Sequence, residues 1–118
     1  MATLSTHLLN STDGTHAGHV GIQVFQLGSD GQRVRMLDKT TDDGGRFSES
    51  ISLPLDSANF DYEMVIQSGA YFAARGLTGT GRQIVKEIVI RFTMPDPLRA
   101  YHIPLMIAPN SYSVWWSA

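Results

Sequence analysis

Apolar and polar residues alternate along most of the chain, which is the period of β-strands rather than of helices. Val20, Ile22 and Val24, for example, share one face of a predicted strand whose other face carries Gly21 and Gln23. Clusters rich in Gly, Pro and Asp separate the alternating runs and indicate turns. The predicted strands lie near 4–9, 18–27, 33–40, 46–51, 61–67, 83–93, 101–108 and 112–117. Short strands at this spacing predict an all-β, eight-stranded sandwich.

One segment departs from this period. Residues 68–75 are rich in alanine and are followed by Gly76, which predicts a short helix with a glycine stop. Residues 10–17 and 76–82 are predicted to be loops. The expected organisation is a single domain over 1–118, because 118 residues are typical of one domain.

Composition removes several classes of function. With 42% hydrophobic residues the chain has enough apolar side chains for a packed core. The absence of cysteine excludes a disulfide scaffold, a thiolate metal site and a cysteine nucleophile. A net charge of −2 speaks against nucleic-acid binding. No apolar run is long enough to cross a bilayer, and the first ten residues do not resemble a signal peptide, so we expect a cytoplasmic protein without membrane contact.

His7 and His102 lie in predicted strands, opposite the apolar face. In the first predicted strand, Leu4, Thr6 and Leu8 share one face and Ser5, His7 and Leu9 share the other. His102 alternates in the same way with the apolar face of its own strand. Because successive side chains of a strand point to opposite faces, both imidazoles should leave the core. Polar residues on outer faces are usually only solvated, and that remains the alternative for each histidine. Arg46 follows a turn and opens a strand, where a plain surface charge is the corresponding alternative.

The other chemical motifs are weaker. His16-x-x-His19, with Asp13, Asp42 and Asp43 nearby in sequence, is a possible metal site, but the spacing matches no standard zinc signature. No serine lies in a G-x-S-x-G elbow, and the glycines of 76–83 lack the Lys-Ser/Thr of a phosphate-binding loop. His16, in the predicted loop, and His19, two residues beyond it, should therefore tolerate replacement by alanine.

Four stretches of the chain are each similar to a motif of one protein family. LSTHLLNSTDGTHAGHVGIQVFQL (4–27) is similar to the family's opening strand with its T-H-V-L-D core. TTDDGGRF (40–47) resembles a T-N-x-D-G-R turn, and YHIPLMIAPNSYS (101–113) resembles H-x-H-x-P-L-L-x-S-P-x-x-Y-S-T. SGAYFAARG (68–76) is similar to the family's short helix. Together these stretches resemble the transthyretin-related family, whose enzymes are the 5-hydroxyisourate hydrolases of urate degradation. The resemblance implies a transthyretin-like sandwich over nearly the whole chain.

The same resemblance implies a catalytic set and an assembly. The family's catalytic histidine, arginine and second histidine match His7, Arg46 and His102. The family needs neither metal nor organic cofactor, and it forms homotetramers with active sites at the dimer–dimer interface. The implied reaction is hydrolytic opening of a cyclic amide, in which a histidine takes a proton from water and the arginine stabilises the developing negative charge. Which histidine is the base stays open.

The C-terminus departs from the family pattern. Trp115, Trp116, Ser117 and Ala118 stand where the family has Y-R-G-S, and a tryptophan cannot replace the forked, charged donor of arginine. Trp115, Trp116 and Ser117 are therefore candidate substrate-binding residues of a more apolar pocket, or the tryptophans only improve subunit packing. Three functions stay open: a 5-hydroxyisourate hydrolase, a diverged enzyme for another heterocycle, and a transthyretin-like small-ligand binding protein. The retained His7, Arg46 and His102 favour chemistry over carriage.

Overall fold

The computed structural model describes residues 1–76 and 82–117. These residues form two β-sheets, one α-helix and one turn of 3₁₀-helix, which confirms the predicted all-β class with a single short helix. The 3₁₀ turn covers Ser57–Asn59. In chain order the elements are β1 (Ala2–Asn10), β2 (Thr15–His16), β3 (Gly21–Leu27), β4 (Arg33–Thr40), β5 (Arg46–Ile51), β6 (Asp61–Ile66), α1 (Ser68–Ala74), β7 (Ile88–Phe92), β8 (Ala100–His102), β9 (Leu105–Ala108) and β10 (Ser111–Val114).

The first sheet is built around β1. Along its first half β1 pairs with β5 in antiparallel and with β8 in parallel orientation. Along its second half it pairs with β2 in antiparallel and with β9 in parallel orientation, and β10 adds to the outside of β9. Every residue of β1 is thus paired with at least one neighbouring strand, and both ends of β1 have a strand on each side, which fixes its register and its faces.

The second sheet has the order β4-β3-β6-β7, with antiparallel neighbours throughout. Its inner face packs against that of the first sheet in one hydrophobic core. Leu4 and Leu8 from β1 are completely buried there, as are Ile22 and Met64 from the second sheet. Burying an aliphatic side chain of this size contributes about 1.5–3 kcal/mol, so the core supplies most of what holds the sheets together.

The predicted faces of β1 and of the C-terminal strands are confirmed. Burial alternates strictly along β1, with Leu4, Thr6 and Leu8 buried and the residues between them half-buried. Tyr101 and Ile103 are buried, while His102 between them is half-buried. Both histidines thus lie on the outer face of the first sheet.

The prediction of eight strands is wrong in count, because the described residues form ten. The predicted strand 101–108 is divided into β8 and β9 around Pro104, which has no N–H to donate to a neighbouring strand. The predicted loop 10–17 contains β2, whose Thr15 and His16 pair with Asn10 and Leu9.

The predicted strand 83–93 is shorter than expected. Only Ile88–Phe92 pairs with β6. Before it, the N–H groups of Ile84 and Val85 donate to the side chain of Asn110, at 2.7 and 3.1 Å, instead of to a strand. At the C-terminus, β10 ends at Val114 rather than at 117, and among residues 115–117 only Ser117 forms a bridge.

The helix prediction is confirmed at Ser68–Ala74, and Gly76 ends it in a left-handed conformation with φ of 68°. In the part of the chain that the structure describes, no helix has the length and apolar character to span a membrane. The predicted loop 76–82 falls mostly on residues 77–81, outside the described residues, as does Ala118.

Candidate active site

Strand register brings the three predicted catalytic residues onto one face. His7 of β1 is directly paired with Arg46 of β5. Two residues earlier on the same face, Ser5 is paired with His102 of β8. Neighbouring strands lie about 4.8 Å apart, so Arg46, His7 and His102 occupy adjacent positions on three consecutive strands. The predicted set is therefore one cluster on the outer face of the first sheet.

The turn before β5 determines where Arg46 enters the sheet. The Asp42 carboxylate accepts hydrogen bonds from the N–H groups of Gly44 and Arg46, both at 2.9 Å. Gly45 has a φ of 74°, and a Cβ on it would lie 2.4 Å from the Leu8 carbonyl oxygen. Glycine is thus required at this position for the turn to close against β1. The turn holds the backbone of Arg46 while its side chain stays exposed.

His102 is held by a neighbour on β1. The distance from Ser5 Oγ to His102 Nδ1 is 2.8 Å, and both side chains are half-buried. This hydrogen bond occupies Nδ1 and leaves Nε2 as the nitrogen that can reach a substrate. Ser5 therefore orients the ring of His102, a contact that sequence analysis did not identify although Ser5 was placed on the correct face.

His7 contacts a histidine that sequence analysis placed in a loop. Its Nε2 lies 2.9 Å from Nδ1 of His16, with the ring centroids 5.0 Å apart and the planes inclined by 25°. The hairpin between β1 and β2 produces this contact, because Leu9 is paired with His16 and lies on the same face as His7. The turn-forming T-D-G-T run at 12–15 was the available signal, since Asp and Gly in that order favour hairpins.

The surroundings of His7 lower its proton affinity. Partial burial lowers the pKa of His7 below its ordinary value of 6.5. The nearby charges of Arg46, His16 and His102 lower this pKa further, while a hydrogen bond to the backbone of Gly44 opposes them. His7 is therefore mostly neutral at neutral pH, which is the state a general base requires.

The C-terminal tail reaches this cluster at one residue. The N–H of Ser117 donates to the carbonyl oxygen of His102 at 2.9 Å, and the two residues form an antiparallel bridge. Bridge partners point to the same face of a sheet, so Ser117 lies beside His102. Of the predicted substrate-binding residues, Ser117 is thus placed at the candidate site.

The two tryptophans line a separate cavity of about 500 Å³. Its other walls include Ile90 and Phe92 of β7, together with Tyr101 and Ile103. These apolar side chains face the space between the sheets, on the side where β10 is the edge strand of the first sheet and β7 is the edge strand of the second. His7, Arg46 and His102 do not line this cavity. Trp115 and Trp116, which are 46% and 57% exposed, therefore stand apart from the cluster within one chain.

The residues considered for a metal site do not converge. His16 contacts His7, whereas Nε2 of His19 contacts Asp43 at 2.5 Å on the exposed side of the Asp42 turn. Among residues 1–76 and 82–117 there is no group of three or more His, Cys, Asp or Glu side chains arranged to hold a metal ion.

Comparison with known proteins gives a consistent family. Residues 4–116 match the model of the HIUase/Transthyretin family. The 5-hydroxyisourate hydrolase of Pseudomonas aeruginosa is 29% identical over 116 residues, which cover 98% of this chain and 90% of that protein. The 5-hydroxyisourate hydrolase of Halalkalibacterium halodurans is 27% identical over 112 residues, covering 95% and 94%.

Solved structures agree in fold. The 5-hydroxyisourate hydrolase of Klebsiella pneumoniae superimposes with a TM-score of 0.77 at 26% identity, covering 98% of this chain and 99% of that one. Sea bream transthyretin in complex with thyroxine has a TM-score of 0.77 at 23% identity, covering 97% of this chain and 93% of its own, and shows the fold alone. On the family match and the shared architecture, this chain belongs to the HIUase/Transthyretin family.

Proposed function

We propose that this chain is a hydrolase that opens the cyclic amide of 5-hydroxyisourate in purine degradation. The observation that carries the proposal is the cluster of Arg46, His7 and His102 on three adjacent strands of one outer face. Relatives named 5-hydroxyisourate hydrolase match this chain over nearly its whole length. The enzyme is proposed to act as a single domain without a cofactor.

The proposed reaction begins with water. Neutral His7 takes a proton from the water as its oxygen bonds to the carbonyl carbon of the ring amide, and Arg46 beside it stabilises the negative oxygen that forms. When the C–N bond breaks, the leaving nitrogen receives a proton from His102, whose ring Ser5 holds through Nδ1. The products are the opened amine and a carboxylic acid. Each of these effects is typically worth about 10²–10³-fold in rate.

The proposal includes a homotetramer with the sites enclosed between subunits. Two observations support it: β7 and β10 leave unpaired sheet edges, and the candidate cluster lies on an outer face that one chain leaves open. Unpaired edges readily add another strand, and enclosure would exclude bulk water from the reaction. Light scattering at micromolar concentration should give four times the mass of the chain. A monomeric mass would contradict enclosure of the sites by a partner.

A second candidate is a diverged enzyme that uses the same residues on a flatter or more apolar heterocycle. The tryptophans at 115 and 116 favour it, because an indole offers a large apolar surface and a single hydrogen-bond donor. The same fold serves different activities elsewhere, since a solved (S)-allantoin synthase has a TM-score of 0.82 at 25% identity. That match covers 99% of this chain but 44% of the synthase.

The decisive experiment generates 5-hydroxyisourate in situ from urate with urate oxidase and follows its decay. Decay should be accelerated by the protein and not by an equal amount of His7→Ala. Equal acceleration by both would indicate that the cluster does not carry the reaction. No acceleration by the native protein would turn attention to the diverged-enzyme candidate or to a transthyretin-like binding protein. A cytoplasmic location belongs to the proposal as well, and cell fractionation tests it.

A further inference from the structure

The geometry points to His16 as a positioning residue for His7: through the contact between Nδ1 of His16 and Nε2 of His7 it fixes the orientation of that imidazole on the outer face. This inference rests on the proposed function, in which His7 is the base; because Nε2 of His7 is engaged by His16, the nitrogen of His7 that takes the proton from water is Nδ1. It revises the sequence-based expectation that His16 tolerates alanine, and it leaves the corresponding expectation for His19 in place.

The ring geometry is that of a directed hydrogen bond. The planes are inclined by only 25°, as in a stack, yet the centroids are 5.0 Å apart while the two nitrogens approach to 2.9 Å. The centroid separation is close to the N–N distance plus the radii of two five-membered rings. The rings therefore meet edge to edge, with the contact along the line between their centres. A hydrogen bond along this line favours one orientation of the His7 ring about χ2, although the contact lies on the exposed surface of the chain.

The segment that carries His16 is well held. The Asp13 carboxylate accepts hydrogen bonds from the N–H and the hydroxyl of Thr15, at 3.0 and 2.6 Å. Arg75 at the end of α1 donates to the other oxygen of the same carboxylate at 3.2 Å. After His16, the N–H of Ala17 donates to the carbonyl oxygen of Leu8 at 2.9 Å. Backbone contacts on both sides of His16 thus keep its ring over β1.

Charge gives the contact a second consequence. A hydrogen bond between two imidazoles needs an N–H on one ring and a lone pair on the other, so it forms when the pair is neutral or carries one proton. It is lost when both rings are protonated, because two N–H groups then oppose each other. The groups facing His7 are Arg46 from β5, His102 from β8, His16 from β2 and the backbone of Gly44. All three side chains disfavour a charge on His7, so the contact helps to keep His7 neutral.

His19 is the matched control on the same segment. It is a histidine three residues further on, and its contact with Asp43 joins side chains that are 73% and 93% exposed. An exposed ion pair of this kind contributes little to stability. Because His19 has a φ of 59°, asparagine is the suitable replacement, since it tolerates the left-handed region.

The test compares His16→Ala, His16→Gln and His19→Asn with the native protein, using 5-hydroxyisourate generated in situ. His16→Ala should lower kcat about tenfold with KM within roughly twofold, which is the usual effect of one lost hydrogen bond in a site. On the acid side, kcat/KM falls as His7 becomes protonated, and this acid limb should move to higher pH, because the charge of His16 no longer lowers the pKa of His7. His16→Gln keeps a hydrogen-bonding partner for Nε2 but no ionisable ring, so it should recover most of kcat while the limb stays shifted. His19→Asn should change neither.

Native values of kcat and of the acid limb in His16→Ala would overturn the inference. A second outcome would also overturn it: a loss of kcat that His16→Gln does not recover, together with an unshifted acid limb of kcat/KM. That pattern belongs to a purely structural role of His16. An NMR titration of the His7 ring needs no substrate and separates this inference from the proposed function. If the native protein does not hydrolyse 5-hydroxyisourate, the proposed function fails, while a higher His7 midpoint in His16→Ala still supports the positioning contact. An unchanged midpoint overturns it.

Discussion

The outer face of β1 and the C-terminal tail are both candidate parts of the same site, yet they are held in very different ways. His7 lies on a strand with neighbours on both sides, so its position follows from the register of the whole sheet. Beyond Val114 the tail is attached through the N–H groups of Trp115 and Ser117, at 3.3 and 2.9 Å. The proposed catalytic cluster therefore lies on strands paired along their length, whereas the part that differs from the family pattern is attached through a few backbone hydrogen bonds.

The comparison suggests that rate and specificity can be changed separately. Residues of the β1 face should determine whether the reaction occurs, because they supply the base and the charge. Residues of the tail should determine which substrate fits, because Ser117 lies beside His102 while the tail carries none of the charges of the cluster. Substitutions in the two regions should then differ in size and in kind.

The largest effect is expected on the β1 face. His7→Ala should lower kcat/KM for 5-hydroxyisourate at least ~100-fold, because it removes the proposed general base. Arg46→Ala and His102→Ala should have effects of the same order, since each removes a charge or a proton donor. Thermal melting should stay close to that of the native protein, because Arg46 is exposed and both histidines are only half-buried. A loss below tenfold for His7→Ala would contradict its role as the base.

The next effect concerns the tail. Restoring the family ending with Trp115→Tyr, Trp116→Arg, Ser117→Gly and Ala118→Ser together should raise kcat/KM for 5-hydroxyisourate about tenfold. An arginine provides donors for the carbonyls of a polar ring that an indole lacks. The four changes are made as a block, because neighbouring residues in one site do not act additively.

The matching control is the state of assembly, measured by light scattering on both proteins. Equal kcat/KM for the native and the restored tail, at equal mass, would break the comparison. The tryptophans would then contribute packing at the open edge of the sandwich, where they line the cavity with Ile90 and Phe92.

Sequence reasoning succeeded where local rules act alone. Alternation placed Ser5, His7 and Leu9 on one face of β1, because a strand has a period of two that neighbouring strands do not alter. The glycine stop at Gly76 likewise follows from local backbone preference. The cluster of His7, Arg46 and His102 needed more than alternation, since register between strands far apart in sequence came only from family resemblance.

Sequence reasoning failed where distant groups compete for the backbone. Asn110 takes the N–H groups of Ile84 and Val85, so the alternation before β7 does not produce a strand. His16 appeared to lie in a loop, because two paired residues are too few to give a pattern. The position of the tryptophans depends on how the edges of both sheets meet, and no short stretch of sequence encodes that.

A smaller effect is expected at Ser5. Ser5→Ala removes the hydrogen bond to Nδ1 of His102 and should lower kcat roughly 2–10-fold, the equivalent of one hydrogen bond, with little change in KM. Ser48→Ala is the matched control. Ser48 of β5 is the register partner of Ser5, so it lies on the same face of the sheet, and its side chain is exposed. A similar loss in both variants would indicate a general effect on the sheet rather than orientation of His102. Ser5→Thr keeps a hydroxyl and should retain more activity than Ser5→Ala.

The smallest effect is a displacement along the pH axis, which distinguishes the β1 face from the tail whatever the rate at neutral pH. Because burial and the charges of Arg46 and His16 lower the pKa of His7, the acid limb of kcat/KM should have its midpoint below pH 6.5. Between the lowered pKa of folded His7 and 6.5 the unfolded chain binds more protons, so His7 makes the free energy of unfolding fall as pH drops through this window. Arg46→Gln should raise the pKa of His7, which NMR titration of the ring can follow even if turnover is low.

Restoring the tail should leave the midpoint of the His7 titration in place, because Trp115 and Trp116 carry no charge and do not contribute to the pKa shift of His7. A midpoint that moved with the tail and not with Arg46 would place the tail against His7 in the assembled protein, and rate and specificity would then share one pocket.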